Sequence, residues 1–255
     1  MIPTAFDYQK ANTVDEALAA LTADSKLLAG GHSLLPAIKL RLNQPGKLID
    51  ISAIAALKGI KEEDGEIVIG AATTHAEIAV DNLMKDKLSF FAEGASMIGD
   101  VQVRNCGTIG GSLAHADPSA DWTALVLAAD AAIEVQSSSG KRRIKAADFF
   151  TGLFSTALND GEIITAIRVP VPAAGTKTAY QKFSQPASRF AIVGCAVMKK
   201  PDGKIRIAFT GVTDTPFAAS SVNEAHAAIE AANVLSDHFA SAEYRKHLAK
   251  VYLKK

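Results

Sequence analysis

Residues 98–121, IGDVQVRNCGTIGGSLAHADPSAD, decide how this chain is read, together with a shorter stretch at residues 29–34, AGGHSL. Each holds a Gly-Gly pair followed by a small hydroxyl residue: Gly30-Gly31 then His32 and Ser33, and Gly110-Gly111 then Ser112. Without Cβ atoms, glycines reach conformations other residues avoid and expose successive N–H groups. A loop of this kind presents a concave set of donors to an anion such as a pyrophosphate. Two such loops suggest one dinucleotide clamped between them. Around the second pair, Arg104, Asn105, Thr108, Ser112, His115, Asp117 and Asp121 crowd into one short polar stretch. That is more hydrogen-bonding capacity than a connecting loop needs.

Working outward, residues 26–29 read as a strand entering the first glycine loop. Ser33 is placed to cap a helix carrying Leu34, Leu35, Ile38 and Leu42, with Pro36 tolerated in its first turn. Upstream, Thr13 to Glu16 has the form of a capping box, and Val14, Ala17, Leu18 and Leu21 follow at helical spacing. Strand, glycine loop and helix together resemble a nucleotide-binding unit, but the spaced three-glycine pattern of the Rossmann class is absent. Residues 48–51 read as a strand, and 58–60 with 66–69 flank the hairpin turn Asp64-Gly65. Thr74 to Glu77 forms a second capping box, and 87–97 is helical by pattern.

Asp121 heads an apolar, alanine-rich stretch to residue 129; residue types leave it open whether Asp121 is the N-cap of a core helix or a ligand contact. Residues 131–135 and 142–144 frame a hairpin over Ser137 to Gly140. Strands at 179–183, 190–198 and 205–212, then helices near 222–232 and 241–253, describe a separate α+β unit. Its boundary is placed at 170–175, where PVPAAG breaks any regular element.

The 255 residues can bury a substantial core, as one large domain or two modest ones. Charge is balanced, 27 Lys+Arg against 27 Asp+Glu, so no sequence-wide basic field exists to collect nucleic acid. The N-terminal residues lack the pattern of an export peptide, and no apolar run is long enough to cross a bilayer, so a soluble, cytoplasmic protein is expected. Cys106 and Cys195 are the only cysteines, too few for an iron–sulfur cluster held by this chain alone. Cys106 reads as a small apolar filler.

No nucleophile–base pair, zinc-type Cys/His spacing or GxxxxGK[ST] phosphate loop is present, so no catalytic residue and no metal ligand is assigned. His32 and His115 fall in the two glycine loops and are read as shaping the site rather than moving protons.

At these residues the chain resembles the FAD-binding medium subunit of the molybdenum hydroxylases, the group containing aerobic carbon monoxide dehydrogenase and xanthine dehydrogenase. The resemblance is carried, in order, by AGGHSLLPAIKLRL (29–42), LIDI (48–51), IGAATTHAEI (69–78), the run 98–121, FFTGLFSTAL (149–158), EIITAIRVP (162–170) and AEYRKHLA (242–249). The AGGHSL form looks more like the carbon monoxide dehydrogenase branch. The resemblance implies an α+β chain with the FAD-binding fold of the vanillyl-alcohol oxidase and p-cresol methylhydroxylase type. An FAD-binding domain over 1–172, in α/β subdomains of about 1–56 and 57–172, would precede a small α+β C-terminal domain over 176–255.

It further implies that Ala29, Gly30, Gly31, His32, Ser33 and Leu34 hold the FAD pyrophosphate with backbone N–H groups, and that Thr108, Ile109, Gly110, Gly111 and Ser112 do so from the other side. His115 would shape the site, and Asp117 and Asp121 would lie near the flavin and its ribityl chain. Ile164 and Lys182 would make an apolar and a basic flavin contact. The implied partners are a small two-cluster iron–sulfur subunit and a large molybdopterin subunit, in a dimer of heterotrimers, with FAD passing electrons to a terminal acceptor. The chain departs from the pattern between Thr215-Pro216 and residues 242–245, where relatives carry an Arg-Ala pair and a helical insertion. That trimming leaves cofactor binding intact and subunit interfaces open. Two other functions fit less well: a stand-alone flavin oxidase or dehydrogenase, for which no base is evident, and a non-catalytic assembly subunit, against which both intact glycine pairs argue.

Overall fold

A computed structural model describes residues 2–254; Met1 and Lys255, the ends of the two expected domains, lie outside the described residues. The chain begins with β1 (Asp7–Lys10), α1 (Val14–Ala20), β2 (Ser25–Leu28), α2 (Leu34–Lys39) and β3 (Lys47–Asp50), and the three strands pair in parallel in the order β1-β3-β2. Thr13 caps α1 by accepting from the Glu16 N–H at 3.1 Å. The return arm of the expected box reaches one residue further: the Glu16 carboxylate takes the Asn12 N–H at 2.8 Å rather than that of Thr13. Ser33 precedes α2 but makes no side-chain cap bond, because its backbone is already helical, with φ −106° and ψ −45°. Only Ile38 of that helix is buried; Leu42 lies beyond its end and is exposed.

A mostly helical stretch follows the hairpin β4 (Ile60–Glu63) and β5 (Glu66–Gly70): α3 (His75–Val80), α4 (Asn82–Lys87), α5 (Ser89–Met97), α6 (Val101–Cys106), α7 (Ile109–His115) and α8 (Asp121–Ala128). Asp64 and Gly65 turn the hairpin with φ of 52° and 76°, the left-handed pair its geometry requires. Then come β6 (Ala132–Ser137), β7 (Gly140–Lys145), α9 (Ala146–Phe149), β8 (Phe150–Gly152), β9 (Ser155–Thr156) and β10 (Ile163–Pro170). The order β4-β5-β10-β6-β7 makes an antiparallel sheet. Ile67, Ile69, Ile133, Val135, Ile167 and Val169 from three of its strands join one core with Phe90, Phe91 and Trp122 of the helices.

The last unit is a four-stranded sheet, β11 (Lys177–Ser184), β12 (Ala191–Lys199), β13 (Ile205–Thr210) and β14 (Phe217–Ala219), followed by α10 (Val222–Ala231) and α11 (Ala242–Tyr252). Alternation at period two gives this sheet two apolar faces. Val193, Cys195, Ile207 and Phe209 meet α10 and α11, while Tyr180, Ala196, Met198 and Ala208 join the core that contains α8. The sheet is therefore welded to the preceding residues across α8, all of whose residues are buried. Arg245, buried in α11, donates to the Gly211 carbonyl at 2.8 Å and to Asp237 at 2.6 Å.

Candidate functional site

Both glycine stretches open onto one cavity of about 570 Å³, within the usual range of small-molecule sites. On one side, β2 ends at Leu28 and the chain turns at Gly31, whose φ of +71° is left-handed. His32 Nδ1 lies 2.8 Å from the Gly30 carbonyl and fixes the turn. Among the described residues, no protein acceptor takes the N–H groups of Gly30, Gly31, His32 and Ser33. A side chain at Gly30 would land on the Cys106 carbonyl oxygen, so this glycine is required for the close approach of the two stretches.

The opposite wall differs from the expectation of a second donor loop. Gly110 and Gly111 lie in the first turn of α7, which Thr108 caps by accepting from the Gly111 N–H at 3.1 Å. Ile109 N–H donates to the Thr73 carbonyl at 3.1 Å, Gly110 N–H to that of Ala71 at 2.9 Å, and Ser112 N–H to that of Thr108 at 3.0 Å. These donors are spent inside the protein and are not a free set for an anion. Gly110 is small because a Cβ there would come within 2.6 Å of that of Ala71. What this wall offers the cavity is the side chains of Ser112, His115 and Asp117 and the bare surface of Gly111. Burial pushes the Asp117 carboxyl above the ordinary aspartate range, opposed by its 2.8 Å bond from the Ser119 N–H and by nearby His115.

Of the sixteen residues implied by the resemblance, Ala29, Gly30, Gly31, His32, Ser33, Leu34, Thr108, Gly110, Gly111, Ser112, His115, Asp117, Asp121 and Ile164 line the cavity. Ile109 is fully buried in the core instead. Lys182 is off the wall: its Nζ lies 2.8 Å from Asp121 Oδ1 and 3.1 Å from the Met97 carbonyl. Asp121 is the first residue of α8 and not its N-cap, which is Ala120. Its buried carboxylate accepts from the Tyr180 hydroxyl at 2.6 Å. Burial raises the Asp121 carboxyl, and the Lys182 ammonium pulls it back. Ile164 sits beside a register shift in β10 between Ile164 and Ala166, a bulge that re-aims the strand where it meets the cavity.

Sequence reasoning missed four contributors. Phe154, at the tip between β8 and β9, lies 5.1 Å from the His115 ring and has φ of 52°. Arg189, with φ of 61°, and Phe190 reach the cavity from the turn between β11 and β12. Left-handed φ at a phenylalanine or an arginine carries no sequence signal. His75, the fourth, stood in view as the first residue of a capped helix, but its ring position depends on Trp122, far along the chain.

Comparison with known proteins gives a consistent picture. The model of the FAD binding domain in molybdopterin dehydrogenase matches residues 4–172. The chain is 44% identical to the carbon monoxide dehydrogenase medium chain of Hydrogenophaga pseudoflava, over 84% of this chain and 77% of that one. It is 36% identical to the glyceraldehyde dehydrogenase medium chain of Sulfolobus acidocaldarius, over 98% and 96%. Among solved structures, the Hydrogenophaga pseudoflava carbon monoxide dehydrogenase lacking the Mo-pyranopterin moiety superposes with a TM-score of 0.95 at 39% identity, covering 100% of this chain and 96% of that one.

Proposed function

The chain belongs to the family of FAD-binding domains in molybdopterin dehydrogenases, and on that premise we propose how its cavity and its surroundings serve an FAD-dependent oxidoreductase. It is the FAD-carrying electron-transfer subunit of a heteromeric molybdenum hydroxylase, with the α+β FAD-binding fold. Relatives named as medium chains imply a larger and a smaller chain beside them. The partners are a large molybdopterin subunit and a small subunit with two iron–sulfur clusters, assembled as a dimer of heterotrimers. FAD in the cavity would supply the carrier that receives electrons from those clusters and hands them to a terminal acceptor.

The observation that carries this reading is the row of unpartnered N–H groups at Gly30 to Ser33, residues that line the cavity. Donors fixed in advance bind a diphosphate without reorganising. Gly111, bare of a side chain, leaves the facing wall open to it; Ser112 and Asp117 supply a hydroxyl and a carboxylate for the ribityl and sugar hydroxyls, and Ile164 an apolar contact for the flavin ring. Lys182 acts on that site through Asp121 rather than by touching the ring. Residues 1–172 form the FAD-binding unit and 176–255 the C-terminal unit. No helix among the described residues is long and apolar enough to cross a membrane; a cytoplasmic location is part of the proposed reading.

Reconstitution followed by calorimetry tests the cofactor reading: FAD binds, and FMN, which lacks the diphosphate, binds at least tenfold more weakly. Equal affinity for the two would overturn the diphosphate assignment. Anaerobic mixing of candidate organic substrates with the FAD-loaded subunit alone tests the electron-transfer reading. Flavin absorbance stays unbleached until the iron–sulfur and molybdopterin chains are added; rapid stoichiometric bleaching without them would make this a stand-alone flavin enzyme.

A further inference from the structure

His75 is 4% exposed and lies on the cavity wall, yet only half of its ring is satisfied by the protein. The Trp122 indole N–H donates to His75 Nδ1 at 3.0 Å. Indole nitrogen is a donor only, so the ring nitrogen it meets must carry a lone pair. The ring proton therefore resides on Nε2, and among the described residues no protein acceptor takes it. The tautomer is fixed by a residue that is itself fully buried.

The location of Nε2 gives that proton a purpose. A Cβ added to Gly107 would lie 2.8 Å from Nε2, and one added to Gly30 would lie 2.8 Å from the Gly107 Cα. Nε2 thus stands at Gly107, where the second glycine stretch packs on Gly30, and His75 lines the same cavity as Gly30 to Ser33. The backbone holds it there from both ends. His75 N–H donates to the Gly107 carbonyl at 3.0 Å, and Thr74, which pairs with Thr108 in a β-bridge, caps α3 in a full capping box with Glu77.

We propose that His75 is a binding residue for the dinucleotide, its Nε2–H donating to a diphosphate oxygen of the FAD held by the Gly30 to Ser33 turn, with Trp122 as the positioning residue that keeps the proton on Nε2. The inference rests on the FAD reading above. Burial, then the neighbouring His32 and Arg104, lower the His75 pKa to about 3, so the ring stays neutral and presents the same donor throughout the physiological range. A neutral, pre-aimed donor complements backbone N–H groups in binding a diphosphate.

The test uses the full chain, labelled with ¹⁵N-histidine and stripped of flavin. NMR should show His75 as the neutral Nε2–H tautomer at pH 7, with its Nε2–H proton shifting downfield on adding FAD or ADP and staying in place on adding riboflavin, which has no diphosphate. By calorimetry, His75→Phe should weaken FAD and ADP about tenfold in step and leave riboflavin unchanged. Trp122→Phe, which keeps His75 but frees its Nδ1, should let the ring proton divide between Nδ1 and Nε2 in the NMR spectrum and weaken FAD part of the way toward the His75 variant. An Nε2–H resonance unmoved by FAD in a protein that binds FAD would overturn the proposal, as would an equal loss of riboflavin in the His75 variant. Failure of the wild-type protein to bind FAD at all would instead sink the parent reading, and this one with it.

Discussion

Lys182 Nζ and the Asp121 carboxylate lie 2.8 Å apart at Oδ1 and 3.0 Å at Oδ2, with the lysine side chain fully buried and the aspartate nearly so. The pair ties β11 to the first residue of α8, where the cavity wall meets the C-terminal sheet. Tyr180, on the same strand two residues earlier, completes the carboxylate's partners.

Breaking a buried pair by removing one charge strands the other, at a cost of about 3–5 kcal/mol. Asp121→Asn and Lys182→Met should therefore each lower the unfolding free energy by roughly that amount in urea titrations, and the double variant should lose clearly less than their sum. Strict additivity would show that the two groups are not coupled.

Gly30 makes a second prediction. Its missing side chain is what lets the Cys106 carbonyl approach, so Gly30→Ala must push the turn off the second stretch. FAD affinity should drop at least tenfold while circular dichroism stays folded. Gly152→Ala, where the added Cβ meets nothing nearer than 3.7 Å, should leave affinity unchanged. Intact FAD binding by the Gly30 variant would show that the contact does not shape the site.

The same two glycine stretches show what a sequence reveals and what it hides. Both were legible as places where side chains are excluded. The reason for exclusion was not, because Gly30 answers to Cys106 and Gly110 to Ala71, contacts made only in three dimensions. A nearly continuous apolar run exposed β12, since both faces of that sheet meet a core. The short helices α6 and α7 escaped notice because six or seven residues containing glycine are too short to be helical on propensity alone. Tertiary bonds that its first N–H groups donate to the Thr73 and Ala71 carbonyls hold α7 in place. The pairing of Lys182 with Asp121 was hidden because the two are 61 residues apart.

Thr108 supports α7 locally as well. Thr108→Ala removes the acceptor for the Gly111 N–H and should cost about 1 kcal/mol of stability. Thr108→Ser should restore most of it, since a serine hydroxyl caps equally well. The check is thermal unfolding of both variants; equal losses would mean that the methyl group, not the cap, carries the effect.

The last prediction concerns acid stability. In the folded protein the His75 pKa is lowered to about 3 by burial, then by His32 and Arg104, whereas an unfolded histidine titrates near the ordinary value of 6.5. Between those values the unfolded chain binds a proton that the native chain refuses. Stability from this residue is therefore fully present above pH 6.5 and is lost as pH falls toward 3, at about 1.4 kcal/mol per pH unit. Urea unfolding at pH 6.5, 5.5 and 4.5 should show wild-type stability falling faster than that of His75→Phe, by close to one proton in slope. The Trp122 N–H bound to Nδ1 adds to the resistance, because protonating that nitrogen would set two donors against each other. Trp122→Phe should accordingly flatten the acid slope part of the way toward the His75 variant. Parallel slopes for all three proteins would mean that the ring is not held neutral, and that Trp122 does not fix its tautomer.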